Sequence, residues 1–126
     1  MIEPKTICID FDGSCCEHCY PEIGKSIGAE PVLKELVEAG HRLILWTMRS
    51  GRELQAAAKW FSDRDIPLFG VNVNKTQRAW TTSPKAYANI FIDDAALGAP
   101  LIRTGDRPYL DWQVVREYLV ADGYLK

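Results

Sequence analysis

The chain has 126 residues, 47% of them hydrophobic, which fits one compact domain that can bury a core without disulfide or metal staples. Lysine and arginine total 15 against 17 aspartates and glutamates, and a net charge of -2 advertises neither a nucleic-acid nor a membrane binder, although it leaves room for a local basic patch. The opening MIEPKT lacks the basic and apolar regions of a signal peptide, and no apolar run approaches membrane-spanning length, so a cytoplasmic, reducing setting is expected for the four cysteines.

Thr6 to Ile9, TICI, reads as a buried strand that ends abruptly in Asp-Phe-Asp-Gly. Ser14 to Ala29 is rich in Gly, Pro and polar residues and reads as a loop. A helix follows with Pro31 in its first turn, an apolar stripe at Val32, Leu33, Leu36 and Val37, and a stop at Gly40. His41 to Thr47, HRLILWT, is a second buried strand. Ser50 and Glu53 have capping-box spacing for the next helix, which turns Leu54, Ala57, Ala58 and Phe61 inward and ends by Pro67. Leu68 to Val73 is a third strand, Asn74 to Pro84 a loop, and Lys85 to Ala88 a short helical turn. Asn89 to Ile92 is a fourth strand running into Asp93-Asp94, and a last helix starts at Asp111 with Trp112, Val115 and Leu119 inward.

Strands alternating with helices predict βαβ units, a mostly parallel sheet covered on both faces, and therefore an α/β, Rossmann-like three-layer α/β/α fold over residues 1–126. Right-handed crossovers bring the strand C-termini to one edge, where such sheets bind ligands. Asp10 and Asp12, Thr47, and Asp93 and Asp94 would then share one rim. Four acids so gathered call for a neutralising cation, and oxygen ligands favour Mg2+.

Asp10-Phe11-Asp12-Gly13-Ser14 at one strand end, Thr47 at the next, then Lys85, then Asp93-Asp94 at a strand end resemble, in order, the four motifs of the haloacid dehalogenase (HAD) superfamily. The likeness runs from Ile7 to about Gly98, and EHCYPEIG and SPKAYANIFIDDAALG resemble small bacterial and phage hydrolases of that superfamily. The resemblance implies a phosphatase in which Asp10 is the nucleophile and carries an aspartyl-phosphate, and Asp12 is the acid and base. Thr47 would bond a phosphoryl oxygen, and Lys85 would pair with Asp10 and the phosphate. Lys75, just after strand three, rivals Lys85 for that role. Mg2+ would be held by Asp10, the Asp12 carbonyl and one of the Asp93-Asp94 pair, Asp94 being the first choice for direct ligation with Asp93 in support. Gly13, Ser14, His18, Met48 and Arg49 would line the substrate side. An Asp at position 12 favours phosphatase over dehalogenase chemistry.

Neither Ser14–Ala29 nor Arg64–Lys85 has room for an independent domain, so the resemblance implies a HAD-like core without a cap. An open site suits a bulky phosphorylated substrate such as a nucleic-acid end, or a small molecule if a homo-oligomer covers the site. The alternative is a catalytically silent or signalling module. Response-regulator receivers use similar residues, but their phosphorylated Asp ends strand three, where this chain has Val73-Asn74.

Other residues admit two readings. Cys16-x-x-Cys19 with His18 has zinc-ligand types, yet no second pair exists and adjacent Cys15 and Cys16 point apart, so the run reads as a loop beside the pocket. His18 is either a hydrogen-bonded loop residue or a substrate donor. Arg49 and Arg52 are either anion clamps or a solvated helix face. Trp46 and Trp60 read as core or half-buried. Trp80, beside Arg78, has the make-up of a base-stacking residue, although loop tryptophans more often pack down.

Overall fold

A computed structural model describes residues 2–126; Met1, the start of the expected domain and of its opening segment, lies outside them. Strand β1 is Thr6–Ile9, fully buried as its unbroken apolar run predicts. Helix α1 spans Ala29–Glu38, and Gly40 takes the left-handed conformation (φ 99°) that ends it. β2 is Arg42–Leu45 and α2 is Gly51–Ser62. β3 is Gly70–Val71 and β4 is Ile90–Ile92. β5 (Leu101–Ile102) and β6 (Tyr109–Leu110) form a small antiparallel pair before helix α3, Trp112–Ala121. Asp111 caps α3, accepting from the N–H groups of Gln113 and Val114.

The main sheet has the order β3-β2-β1-β4 and is parallel throughout, with Ile9 opposite both Leu45 and Ile92. Ile7, Ile9, Leu43 and Leu45 join one core with residues from all three helices, among them Leu33, Phe61 and Trp112. Cys8 and Ile44 point the other way and pack on Ala86, with Trp46, Phe69 and Ala88 around them. The fold is thus the expected α/β, Rossmann-like one, and among the described residues there is no cap domain. Its third layer is the β3–β4 connection, which lies on the face opposite the helices and holds a 3-10 helix at Lys75–Ala79. No helix of the described residues is long and apolar enough to cross a membrane.

Several local expectations are corrected. Lys85–Ala88 forms no helical turn. The side chain of buried Gln77 donates to the carbonyls of Ser83 and Lys85 and accepts from the Tyr87 N–H, so it satisfies backbone groups that a turn would have paired internally. The helical turn falls earlier, at Lys75–Ala79, where Asn74 accepts from the Thr76 N–H. Ser50 occupies the N-cap of α2 without a side-chain cap bond. β3 keeps only two of the residues from Leu68 to Val73, because Asn72 turns left-handed (φ 55°). The β5–β6 pair escapes a reading by periodicity, since two-residue strands carry no pattern.

Candidate functional site

β1 lies between β2 and β4, so the chain steps outward on one side of β1 and returns on the other. That reversal is the switch point where open α/β sheets leave a crevice. Asp10 follows β1 there, its N–H donating to the Ile92 carbonyl at 2.9 Å, and Asp93 and Asp94 follow β4. One oxygen from each of Asp10, Asp93 and Asp94 lies within 4.8 Å of the other two. A hollow of about 350 Å³ opens over them, lined by Asp10, Trp46, Thr47, Met48, Asn72 and Asp93. Residues from all four strand ends therefore meet.

The acids are held from below. Ser14, fully buried, bonds Asp10 Oδ2 at 2.8 Å and Asp94 Oδ1 at 3.2 Å, and its Oγ accepts the Asp94 N–H at 3.0 Å. It is a positioning residue rather than a substrate contact, because burial leaves it nothing to offer the hollow. His18 Nε2 meets Asp94 Oδ2 at 2.8 Å, which uses that ring nitrogen on the acid cluster. Gly13 is left-handed (φ 81°), and a Cβ there would run into the His18 ring and the Asp94 carboxylate. The C-terminal elements lock the same loop. Leu110 N–H donates to the Gly13 carbonyl at 2.9 Å, and Trp112 Nε1 to the Ser14 carbonyl at 2.6 Å.

Burial, a hydrogen bond shared with Asp94 and the Asp93 charge push the Asp10 carboxyl up to about 8, against the opposing Ser14 bond. Among the described residues no Lys or Arg pairs with Asp10, Asp93 or Asp94, and the His18 ring meets only Asp94 among them. A cluster of hard oxygen donors without a cation of its own has the chemistry of a small-dication site. Oxygens on opposite sides of a Mg2+ stand about 4.2 Å apart and of a Ca2+ about 5 Å apart, so the spacing fits such an ion.

Thr47 is pinned twice. Its N–H donates to Asn72 Oδ1 at 2.8 Å, and its Oγ1 accepts the Arg49 N–H at 3.1 Å, so its own O–H proton remains to be given. Among the described residues Asn72 Nδ2 donates to nothing, so it too can give a bond into the hollow. Asn72 is a site residue that the sequence reading passed over; the polar end of VNVN was its only signal.

Three expected site groups stand elsewhere: Arg49, the Asp12 carboxylate and Lys85. Arg49 is no substrate clamp. Its guanidinium is buried under Tyr20 and over Phe11, grips both Asp12 oxygens at 2.8 Å, and donates to the carbonyls of Pro21, Glu22 and Glu53. Every donor is spent inside the protein, and Asp12 holds Arg49's pKa above its ordinary value. The Asp12 carboxylate is accordingly outside the three-acid cluster. Lys85 is exposed with its ammonium over the Phe91 ring at 5.5 Å, and neither it nor Lys75 pairs with the acids. Met48 stands almost wholly exposed at the mouth of the hollow. Cys8, Cys15 and Cys16 are buried and free, and Cys19 is exposed. Cys15 bonds the Asp10 carbonyl at 3.3 Å, and burial pushes its thiol well up.

No protein-family model matches the chain, and no curated protein does. A solved structure of a conserved protein from Bacteroides thetaiotaomicron does, with 35% sequence identity and a TM-score of 0.77, covering 95% of this chain and 92% of that one. At that identity over nearly the whole of both, the chain belongs to the same family as this conserved bacterial protein.

Proposed function

We propose that the protein is a Mg2+-dependent phosphomonoester hydrolase with a HAD-like core, working through an aspartyl-phosphate on Asp10. The observation that carries the reading is the three-acid cluster of Asp10, Asp93 and Asp94 at the switch point, beneath a hollow whose other walls present hydrogen-bond donors. The motif order that resembles the HAD superfamily supports it further.

In this reading Asp10, the Asp12 carbonyl, Asp93 and Asp94 would hold a dication, which would supply charge neutralisation for the carboxylates and the phosphate. Ser14 fixes the rotation of the Asp10 carboxylate. An Asp10 oxygen attacks phosphorus, the ester P–O bond breaks, and the leaving oxygen takes a proton from Asp12. Water then attacks phosphorus, Asp12 takes its proton, and the Asp10–phosphorus bond breaks to restore the carboxylate. The Thr47 hydroxyl and the Asn72 amide bond the phosphoryl oxygens, positioning and stabilising them as charge redistributes. Because Arg49 holds both Asp12 oxygens, Asp12 takes up a proton only as one of those bonds gives way. The lysine of the motif, Lys85 or Lys75, would have to swing in with the phosphate. A reducing cytoplasm suits the four free thiols.

The test is hydrolysis of a generic aryl phosphate by the purified protein with Mg2+, with EDTA, and by Asp10→Asn. The reading expects turnover that needs Mg2+ and vanishes in the variant. Turnover undiminished in Asp10→Asn would overturn it.

A further inference from the structure

The face of the sheet opposite the three α-helices has an unusual charge pattern. From Ile66 to Ile92 the chain has no Asp or Glu, yet it carries Lys75, Arg78 and Lys85, in a protein whose net charge is -2. All three cations are exposed, and none is spent in an ion pair among the described residues. The same stretch carries exposed aromatic rings. Trp80 is 66% exposed, Tyr87 49% and Phe91 39%. Trp80 and Tyr87 meet edge to face at 6.2 Å, and Lys85 sits over Phe91. Trp80 does not pack down as loop tryptophans usually do.

This surface connects to the site. Asn72 lines both the hollow over Asp10 and a neighbouring groove that runs past Arg78. That groove shares Gln77, Thr81 and Ser83 with a third one, lined by Trp80, Tyr87 and Phe91. No acid lines either groove. At about 3.3 Å per strand residue, Phe91 lies roughly 7 Å along β4 from Asp93.

We propose that this face binds single-stranded nucleic acid, with bases stacked on Trp80 and its aromatic neighbours and the backbone drawn along Arg78, Lys75 and Lys85 toward Asp10. Open ring faces stack on unpaired bases, which a duplex hides, and interleaved cations neutralise phosphates. The proposal rests on the phosphohydrolase reading for what happens at the strand's end, which would carry the phosphate that Asp10 attacks. The binding itself does not depend on that reading.

The test is fluorescence anisotropy of a short labelled oligothymidylate with no terminal phosphate, titrated with protein in EDTA, where no turnover occurs. Binding is expected that weakens with salt at a log–log slope of about -2, as three neutralised phosphates on a single strand give. Trp80→Ala is expected to weaken it about 10- to 100-fold. Arg78→Ala should flatten the slope by about 0.7. Both side chains are exposed, and circular dichroism checks that the variants are folded. No binding, or binding indifferent to both variants, would overturn the proposal. Equal, variant-sensitive binding to anionic phospholipid vesicles would overturn it in favour of a membrane surface. A chain that binds the oligomer but turns over no aryl phosphate would refute the hydrolase reading and leave this surface standing, whereas Mg2+-dependent turnover without binding would do the reverse.

Discussion

Asp10 is both the proposed nucleophile and a source of instability, so replacing it should stabilise the metal-free protein. Its carboxyl is raised from 3.8 to about 8 by burial and by its acidic neighbours. A carboxyl raised in the folded state keeps its proton where the unfolded chain has lost it. Its contribution to stability is full below about pH 4 and is lost as the pH climbs to about 8, at up to about 1.4 kcal/mol per unit. The hollow exposes part of the group, so the loss by pH 8 is on the order of 3 kcal/mol rather than the full product. Asn at this position mimics the protonated acid, donating to Asp94 and accepting from Ser14. In EDTA, Asp10→Asn and the parent should melt alike near pH 4.5, and the variant should melt about 10 °C higher near pH 8. Mg2+ should raise the parent's melting temperature and close the gap, by mass action on the folded state. Differential scanning fluorimetry across pH, with EDTA or Mg2+, reads all of this. A difference that stays flat with pH, or a variant less stable at pH 8, would refute the reasoning.

Three other outcomes are expected. Gly13→Ala should lose the Mg2+-induced rise in melting temperature and on the order of 2 kcal/mol of stability, since a left-handed backbone and a blocked Cβ combine there; an unchanged response by the same fluorimetry would contradict the close packing of Gly13 on His18 and Asp94. Arg49→Gln should cost about 3 kcal/mol in urea unfolding, because it strands the half-buried Asp12 carboxylate and three carbonyls; a loss below about 0.5 kcal/mol, the size of a surface substitution, would mean that Arg49 is a free surface residue after all. A thiol reagent such as DTNB should titrate Cys19 quickly and Cys8, Cys15 and Cys16 only on unfolding, given their burial and raised thiols; several fast thiols would contradict this.

The sheet was legible because its signals are local. An uninterrupted TICI can only be a short buried segment, and β1 covers those four residues. Asp111 announces α3 by its capping chemistry, and its side chain makes the bonds. The gathering of Asp10, Thr47, Asp93 and the Asp94 carboxylate at one edge followed from alternating strands and helices, because a parallel sheet aligns its strand ends. What was not legible depends on partners far away in sequence. Arg49 beside a strand end looks like an anion clamp, and nothing near it marks its partner as Asp12, 37 residues away. Gln77 reads as an ordinary loop residue, yet its one side chain replaces the hydrogen bonds of a predicted turn. Lys85 has the right place in the motif order, but its long chain settles on Phe91, and sequence order does not fix a rotamer.

The central claim is that Asp10 takes the phosphoryl group. It is tested most directly by acid quench of the protein during turnover of an aryl phosphate with Mg2+, followed by peptide mass mapping. One phosphoryl group on the peptide bearing Asp10, labile to hydroxylamine as an acyl phosphate is and missing from Asp10→Asn, is the predicted result. Turnover with no phosphorylated Asp10, or with the phosphoryl group on another residue, would contradict the account.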